Sequence, residues 1–201
     1  MFRDDFQRVL REYLGNVDPS DPKKNFTNNP LAGFIRHDLP ADFLRITPSP
    51  HHYKFKGSPG MGQWADCPWV AVMDDRITDS VRRGYYIVYL FRKDMHGVYL
   101  TLNQGMTELR DSLGHTAAIN RLKSQAIKYR SLIGDSGRFQ VTDIDLASER
   151  KSDRSYFYEG GSIFGKYYDV KKFPSDEEIK SDYYAMLDLY QKLIAKNNGT
   201  Q

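Results

Sequence analysis

The sequence predicts an α+β fold: a central mixed β-sheet flanked by helices, in a single domain. Amphipathic helical patterns stand near both chain ends, a long helical pattern fills part of the middle, and short β-branched and aromatic runs lie between them. At 201 residues the chain has the size of one ordinary domain, large enough to bury a real core.

Phe2, Phe6, Val9, Leu10, Tyr13 and Leu14 recur at helical spacing, which predicts a first helix over residues 2–15, closed by Gly15. Residues 16–50 read as loop. Prolines at 19, 22, 30, 40, 48 and 50 interrupt them, with room for one short helix at 41–44. Residues 51–56 suit a strand that leads into a glycine loop with Gly57, Gly60 and Gly62. Runs at 68–73, 85–91 and 98–102 predict strands, the last two joined by a hairpin over 92–97. Leu109, Leu113, Leu122, Ala126, Tyr129 and Ile133 predict one long helix over 107–133, ended by Gly134. Alternation over 139–146 predicts a further strand, 148–154 a charged loop, and 155–172 an irregular tyrosine- and glycine-rich segment. Ser175 and Glu178 form a capping-box pattern that opens the last helix. The domain spans 1–196, with 51–107 as glycine loop and pocket strands and 197–201 as a frayed tail.

With 40% hydrophobic and 27% charged residues the chain reads as soluble and globular. No apolar run approaches the ~20 residues that span a bilayer, and the start lacks a secretory signal. A single cysteine, Cys67, excludes an internal disulfide and a multi-cysteine metal site. The expected location is the cytoplasm. A net charge of +3 permits contact with nucleic acid without demanding it. Fourteen tyrosines, eleven phenylalanines and two tryptophans are too many for so polar a chain to bury deeply, so some are expected to line a site.

Several familiar chemistries fail on residue type. Gly57 to Gly62 has the spacing of a phosphate loop, but Gln63 and Trp64 stand where Lys and Ser or Thr are needed. The five histidines lack ligand spacing, and adjacent His51 and His52 would face opposite ways on a strand. Cys67 has no base or helix N-terminus beside it and reads as a packing residue. Asp143 and Asp145, with Glu178 and Lys180, leave a metal-dependent nuclease open as an alternative; an aromatic surface that docks a protein is another. No catalytic residue, metal ligand or cofactor site is assigned.

What remains is a set suited to a nucleobase. Inspecting one base chemically requires taking it out of the stack, holding it between flat or apolar walls, and filling the gap it leaves. Met61 sits between Gly60 and Gly62, as a wedge would. Trp69, Tyr86 and Leu90 lie on neighbouring predicted strands. Period two puts Tyr86, Val88 and Leu90 on one face and Tyr85, Ile87, Tyr89 and Phe91 on the other. Which face is core is left open. Lys54, Lys56, Arg82, Arg83, Arg92 and Lys93 flank the proposed site as phosphate contacts.

The blocks Gly57-Ser-Pro-Gly-Met-Gly-Gln-Trp-Ala-Asp-Cys-Pro-Trp69, Gly84-Tyr-Tyr-Ile-Val-Tyr-Leu-Phe91 and Val98-Tyr-Leu-Thr-Leu-Asn-Gln-Gly105 resemble the N-terminal DNA-binding domain of McrB-type modification-dependent restriction proteins. The resemblance is close over 51–107 and looser beyond. It implies binding of duplex DNA that carries 5-methylcytosine or a related modified cytosine, with the base flipped into a pocket. On the matching positions that pocket holds Trp69, Tyr86 and Leu90, with Tyr158 as a further wall. The family's wedge position carries Met61 here instead of an aromatic residue, which keeps a wedge and loses ring stacking. Full-length members add a GTP-hydrolysing motor and act with a nuclease subunit; these are the partners implied, and this chain is expected to recognise rather than catalyse.

Overall fold

A computed structural model describes residues 2–17, 20, 25–149 and 154–198. Five strands form one sheet in chain order: β1 (Tyr53–Gly60), β2 (Trp64–Asp74), β3 (Tyr85–Phe91), β4 (Gly97–Gln104) and β5 (Phe164–Asp169). Every pairing is antiparallel, where a mixed sheet was expected. Short connections make β1 to β4 a meander, and a tight turn can join only antiparallel neighbours.

The two faces of the sheet carry separate apolar clusters. Val70, Val72, Tyr85, Ile87, Tyr89, Phe91, Leu100 and Leu102 belong to the main core. Over them pack α1 (Phe2–Asn16), a helical run over residues 30–46 and α7 (Asp176–Asn198). Phe6 of α1 sits at the centre, its ring 5.0 Å from Tyr89, 5.7 Å from Phe91 and 6.3 Å from Phe43. The opposite face carries a smaller cluster of Cys67, Ala71, Met73, Tyr86, Val88, Leu90 and Tyr99. Cover on both sides explains why all seven residues of β3 are buried and why β3 reads as an unbroken apolar run.

The run over 30–46 overturns the loop expected there, except that the short helix expected at 41–44 lies within it. It comprises α2 (Pro30–Gly33), a π turn (Phe34–Asp38) and α3 (Leu39–Ile46). The Asn29 side chain accepts from Leu31 N at 2.9 Å and Ala32 N at 3.2 Å, and Pro30 follows it at the first helical position, where no N–H is needed. Pro40 would crowd a regular helix four residues back; the wide π turn precedes it, closed by Leu39 N to Phe34 O. Gly57 is part of β1 rather than of a loop. A side chain there would collide with the Ile35 carbonyl, so its bareness lets the π turn sit on the strand.

The long middle helix is two, α4 (Thr107–Leu113) and α5 (His115–Ile133), broken at Gly114 with φ 77° and ψ 174°. Residues 139–146 are not a strand: Val141 alone bridges to Gly165, and the chain runs on as an extended strap across the second face. The segment 155–172 is regular, holding most of α6 (Arg154–Gly161) and then β5. Of the expected loop 148–154, residues 150–153 lie outside the described residues, as do Pro19 and Pro22. Ser175 Oγ accepts from Glu178 N at 3.2 Å, but the Glu178 carboxylate turns to Lys166 Nζ at 2.9 Å instead of completing the box. The last helix continues through Asn198, into the stretch expected to fray; 199–201 lie outside the described residues.

Candidate nucleic-acid interface

The β1–β2 hairpin ends in Met61, 81% exposed. Gly60 at φ 135° and Gly62 at φ 76° take conformations that side chains disfavour, so the turn needs both glycines. Behind the tip the hairpin is braced. Tyr13 of α1 donates its hydroxyl to Ala65 O at 2.6 Å. Trp64 is buried between the rings of Tyr13 and Phe26, at 5.0 and 5.2 Å. Asn25 bridges to Gln63. A large apolar side chain is thus held out in water on a fixed mount.

Trp69 and Leu90 are cross-strand partners, and Tyr86 shares the face of Leu90. Tyr158 reaches the same cluster from α6, where its carbonyl accepts from Asn103 Nδ2 at 3.0 Å. The four side chains proposed as pocket walls therefore gather on one face, the one turned away from the main core. Trp69 and Tyr158 are half-buried; Tyr86 and Leu90 are closed off from solvent. The Tyr86 hydroxyl donates to Val81 O at 3.0 Å. Burial pushes that hydroxyl well above its ordinary range and raises that of Tyr158 to about 12, so both remain neutral phenols near pH 7.

The lid over this face is the strap. Ile144 and Leu146 are buried in the cluster, while Asp143 and Asp145 between and before them are exposed. Arg92 donates to Asp145 O at 2.7 Å, Lys93 N to Leu146 O at 3.2 Å, and Leu146 N to Glu159 Oε1 at 2.9 Å. Ala147 turns the strap at φ 59°, a left-handed conformation. Two surface clefts, of about 340 and 330 Å3, lie elsewhere, along Arg82 to Tyr129 and Asp135 to Lys192, and neither is lined by a proposed pocket residue. Tyr86 and Leu90 thus lie in a closed cluster and line neither cleft.

The six expected phosphate contacts do not form one group. Lys54 pairs opposite Met73 near the β2–β3 connection, with Arg82 and Arg83 on that connection. Met61 lies beyond the other end of β2, a strand roughly 33 Å long. Most of these cations also have carboxylate partners. Lys54 lies 3.9 Å from Asp79, Arg82 3.1 Å from Asp111, and Arg83 2.8 Å from Asp79 and 3.1 Å from Glu108. Lys93 lies 3.0 Å from Glu149. Arg92 is structural: its side chain is 15% exposed, grips Asp94 through two nitrogens at 2.9 and 2.8 Å, and pins the strap. Among the described residues Lys56 makes no ion pair.

The Arg92 guanidinium holds the Asp94 carboxyl down at about 2. A depressed carboxyl stabilises the fold above its unfolded value near 4, and that contribution fades as pH falls from there toward 2. Asp94→Asn should therefore melt below the wild type at pH 5, and the gap should close by pH 2. A gap that stays constant across this range would show that the pair does not act this way.

Two residues of the nuclease alternative are otherwise engaged. Asp143 and Asp145 lie on the strap rather than a strand, Asp145 Oδ2 meets Arg92 at 2.9 Å, and Glu178 holds Lys166. Among the described residues no three His, Cys, Asp or Glu side chains converge as a metal site requires. His51 and His52 share a short turn, with ring centroids 4.0 Å apart, rather than opposite faces of a strand. Cys67 is buried, and burial pushes its thiol up to about 12. No described helix is long and apolar enough to cross a membrane. The family model for the MrcB-like, N-terminal domain matches residues 8–195. No curated protein matches the chain.

Proposed function

Since the chain belongs to the MrcB-like N-terminal domain family, we propose that it is the DNA-reading module of a modification-dependent restriction system. In this reading Met61 enters the base stack, and a 5-methylcytosine or related base is flipped toward Trp69, Tyr86, Leu90 and Tyr158. The observation that carries it is Met61 itself: an exposed apolar side chain on a braced, glycine-turned tip, with no packing role in the fold. Apolar wedges of this kind fill the gap that an extruded base leaves. One hairpin bears both the wedge and Trp69, so insertion and capture are coupled through β2. Because Tyr86 and Leu90 are covered, the strap or Tyr158 withdraws to admit the base. Motor and nuclease activities belong to other domains or subunits; the module works on duplex DNA in the cytoplasm, without a cofactor and without cleaving it.

Burying one added methyl group contributes at most ~0.8 kcal/mol, about fourfold in affinity. Gel shifts at one fixed salt concentration test the reading with duplexes carrying plain cytosine, 5-methylcytosine, 5-hydroxymethylcytosine or N6-methyladenine. A modified cytosine should bind several times more tightly than plain cytosine. Trp69→Ala should remove that difference and keep the weaker binding. Equal affinity across the series, or cleavage of DNA by the pure domain with magnesium, would overturn it.

A further inference from the structure

We infer that the DNA backbone is gripped by Arg36 and Lys56, on the two flanks of the Met61 hairpin, and not by the arginines of the β2–β3 connection. This rests on the DNA-reading role proposed above, but on different observations. A cation already held by a carboxylate brings little net charge to a phosphate and releases few counterions on contact. Arg82, Arg83 and Arg92 are all held in this way, at 3.1, 2.8 and 2.8 Å. Among the described residues Arg36 and Lys56 are exposed and make no ion pair; Asp38, on the same π turn as Arg36, does not bind it.

The fold brings both to the hairpin. Arg36 lies on the π turn that the bare Gly57 seats against β1. Its guanidinium carbon stands 5.2 Å from the Phe26 ring, and Phe26 packs 5.2 Å from Trp64 at the hairpin's base. A guanidinium that rests over a ring is steadied there and keeps N–H groups to offer a phosphate. Lys56 reaches the hairpin from the opposite face. It pairs opposite Ala71, on the face that bears Trp69, and lies roughly 13 Å along β1 from Gly60. The helical run carrying Arg36 packs on the other face. A tip that enters a groove meets a phosphate backbone on each side, and here each side offers an unpaired cation among the described residues. The π turn itself is a local irregularity of the kind often found at functional positions.

The test is the salt dependence of binding to a duplex with one modified cytosine. Each lost phosphate contact should flatten the slope of log K against log salt by about 0.9. Between 50 and 200 mM salt the wild type should then lose about three and a half times more affinity than Arg36→Ala or Lys56→Ala. Both variants should weaken plain and modified duplexes equally, and Arg36→Lys should keep the wild-type slope. Arg82→Ala and Arg83→Ala should leave the slope unchanged. Unchanged slopes in Arg36→Ala and Lys56→Ala, a flattened slope in the Arg82 or Arg83 variants, or a flattened slope in Arg36→Lys would each overturn the assignment while the DNA-reading role stands. A wild-type domain that retains no duplex at low salt removes both.

Discussion

Met61→Ala should bind duplex DNA at least tenfold more weakly than the wild type and melt at the same temperature. The two halves of this result have separate causes. With 81% of Met61 exposed, its truncation removes almost no packing, and surface changes of this sort stay within about 0.5 kcal/mol. Unstacking a base step costs a few kcal/mol, which the inserted side chain offsets. Forfeiting even 1.4 kcal/mol of that is tenfold in affinity. A 2-aminopurine placed beside the modified base would report the event directly, because it brightens when its neighbour leaves the stack. Its signal should be lost with Met61→Ala. Unchanged affinity and brightness in Met61→Ala would leave the hairpin without a role in extrusion.

Phe6→Ala should destabilise the domain by about 3–5 kcal/mol, the usual range for emptying a buried phenylalanine site. Phe6 is fully buried, and its ring lies within 6.5 Å of those of Phe2, Phe43, Tyr89, Phe91 and Phe173. Aromatic neighbours on three elements cannot all move inward to fill the space. Urea unfolding followed by tryptophan fluorescence would measure the loss as a lower midpoint with an unchanged slope. A loss under about 1 kcal/mol would mean that α1 is not an integral part of the core. The position bears on function because α1 also carries Tyr13, whose hydroxyl holds the Ala65 carbonyl behind the wedge.

Where local pattern and long-range packing agreed, the sequence could be read. The run at 85–91 is β3 to the residue, since burial on both faces leaves no polar position to blur it. Gly134 ends α5, and Gly60 and Gly62 frame the exposed Met61. The helical run at 30–46 showed in the sequence only as a short helix at 41–44, because the prolines before it read as breakers. Asn29 followed by Pro30 is a helix start, and the Asn29 carboxamide cap makes it one. The strap misled differently. Its alternation is genuine, with Ile144 and Leu146 inward and Asp143 and Asp145 outward, but it records burial of an extended chain. Its N–H groups at 145 and 146 go to Tyr99 Oη and Glu159 Oε1 rather than to a ladder. The distant cation partners lay beyond reach for a simpler reason. Arg83 meets Glu108 and Arg92 meets Asp145 across long stretches of chain, and nothing local announces such pairs.

If a base is captured as proposed, the strap would make recognition a competition. A ring arriving beside Tyr86 would have to replace Ile144 or Leu146, and returning one such side chain to water would take back about 1.5–3 kcal/mol. Bases that fit loosely would recover less than they evict, so the native occupant would act as a built-in rival against which every incoming base is weighed.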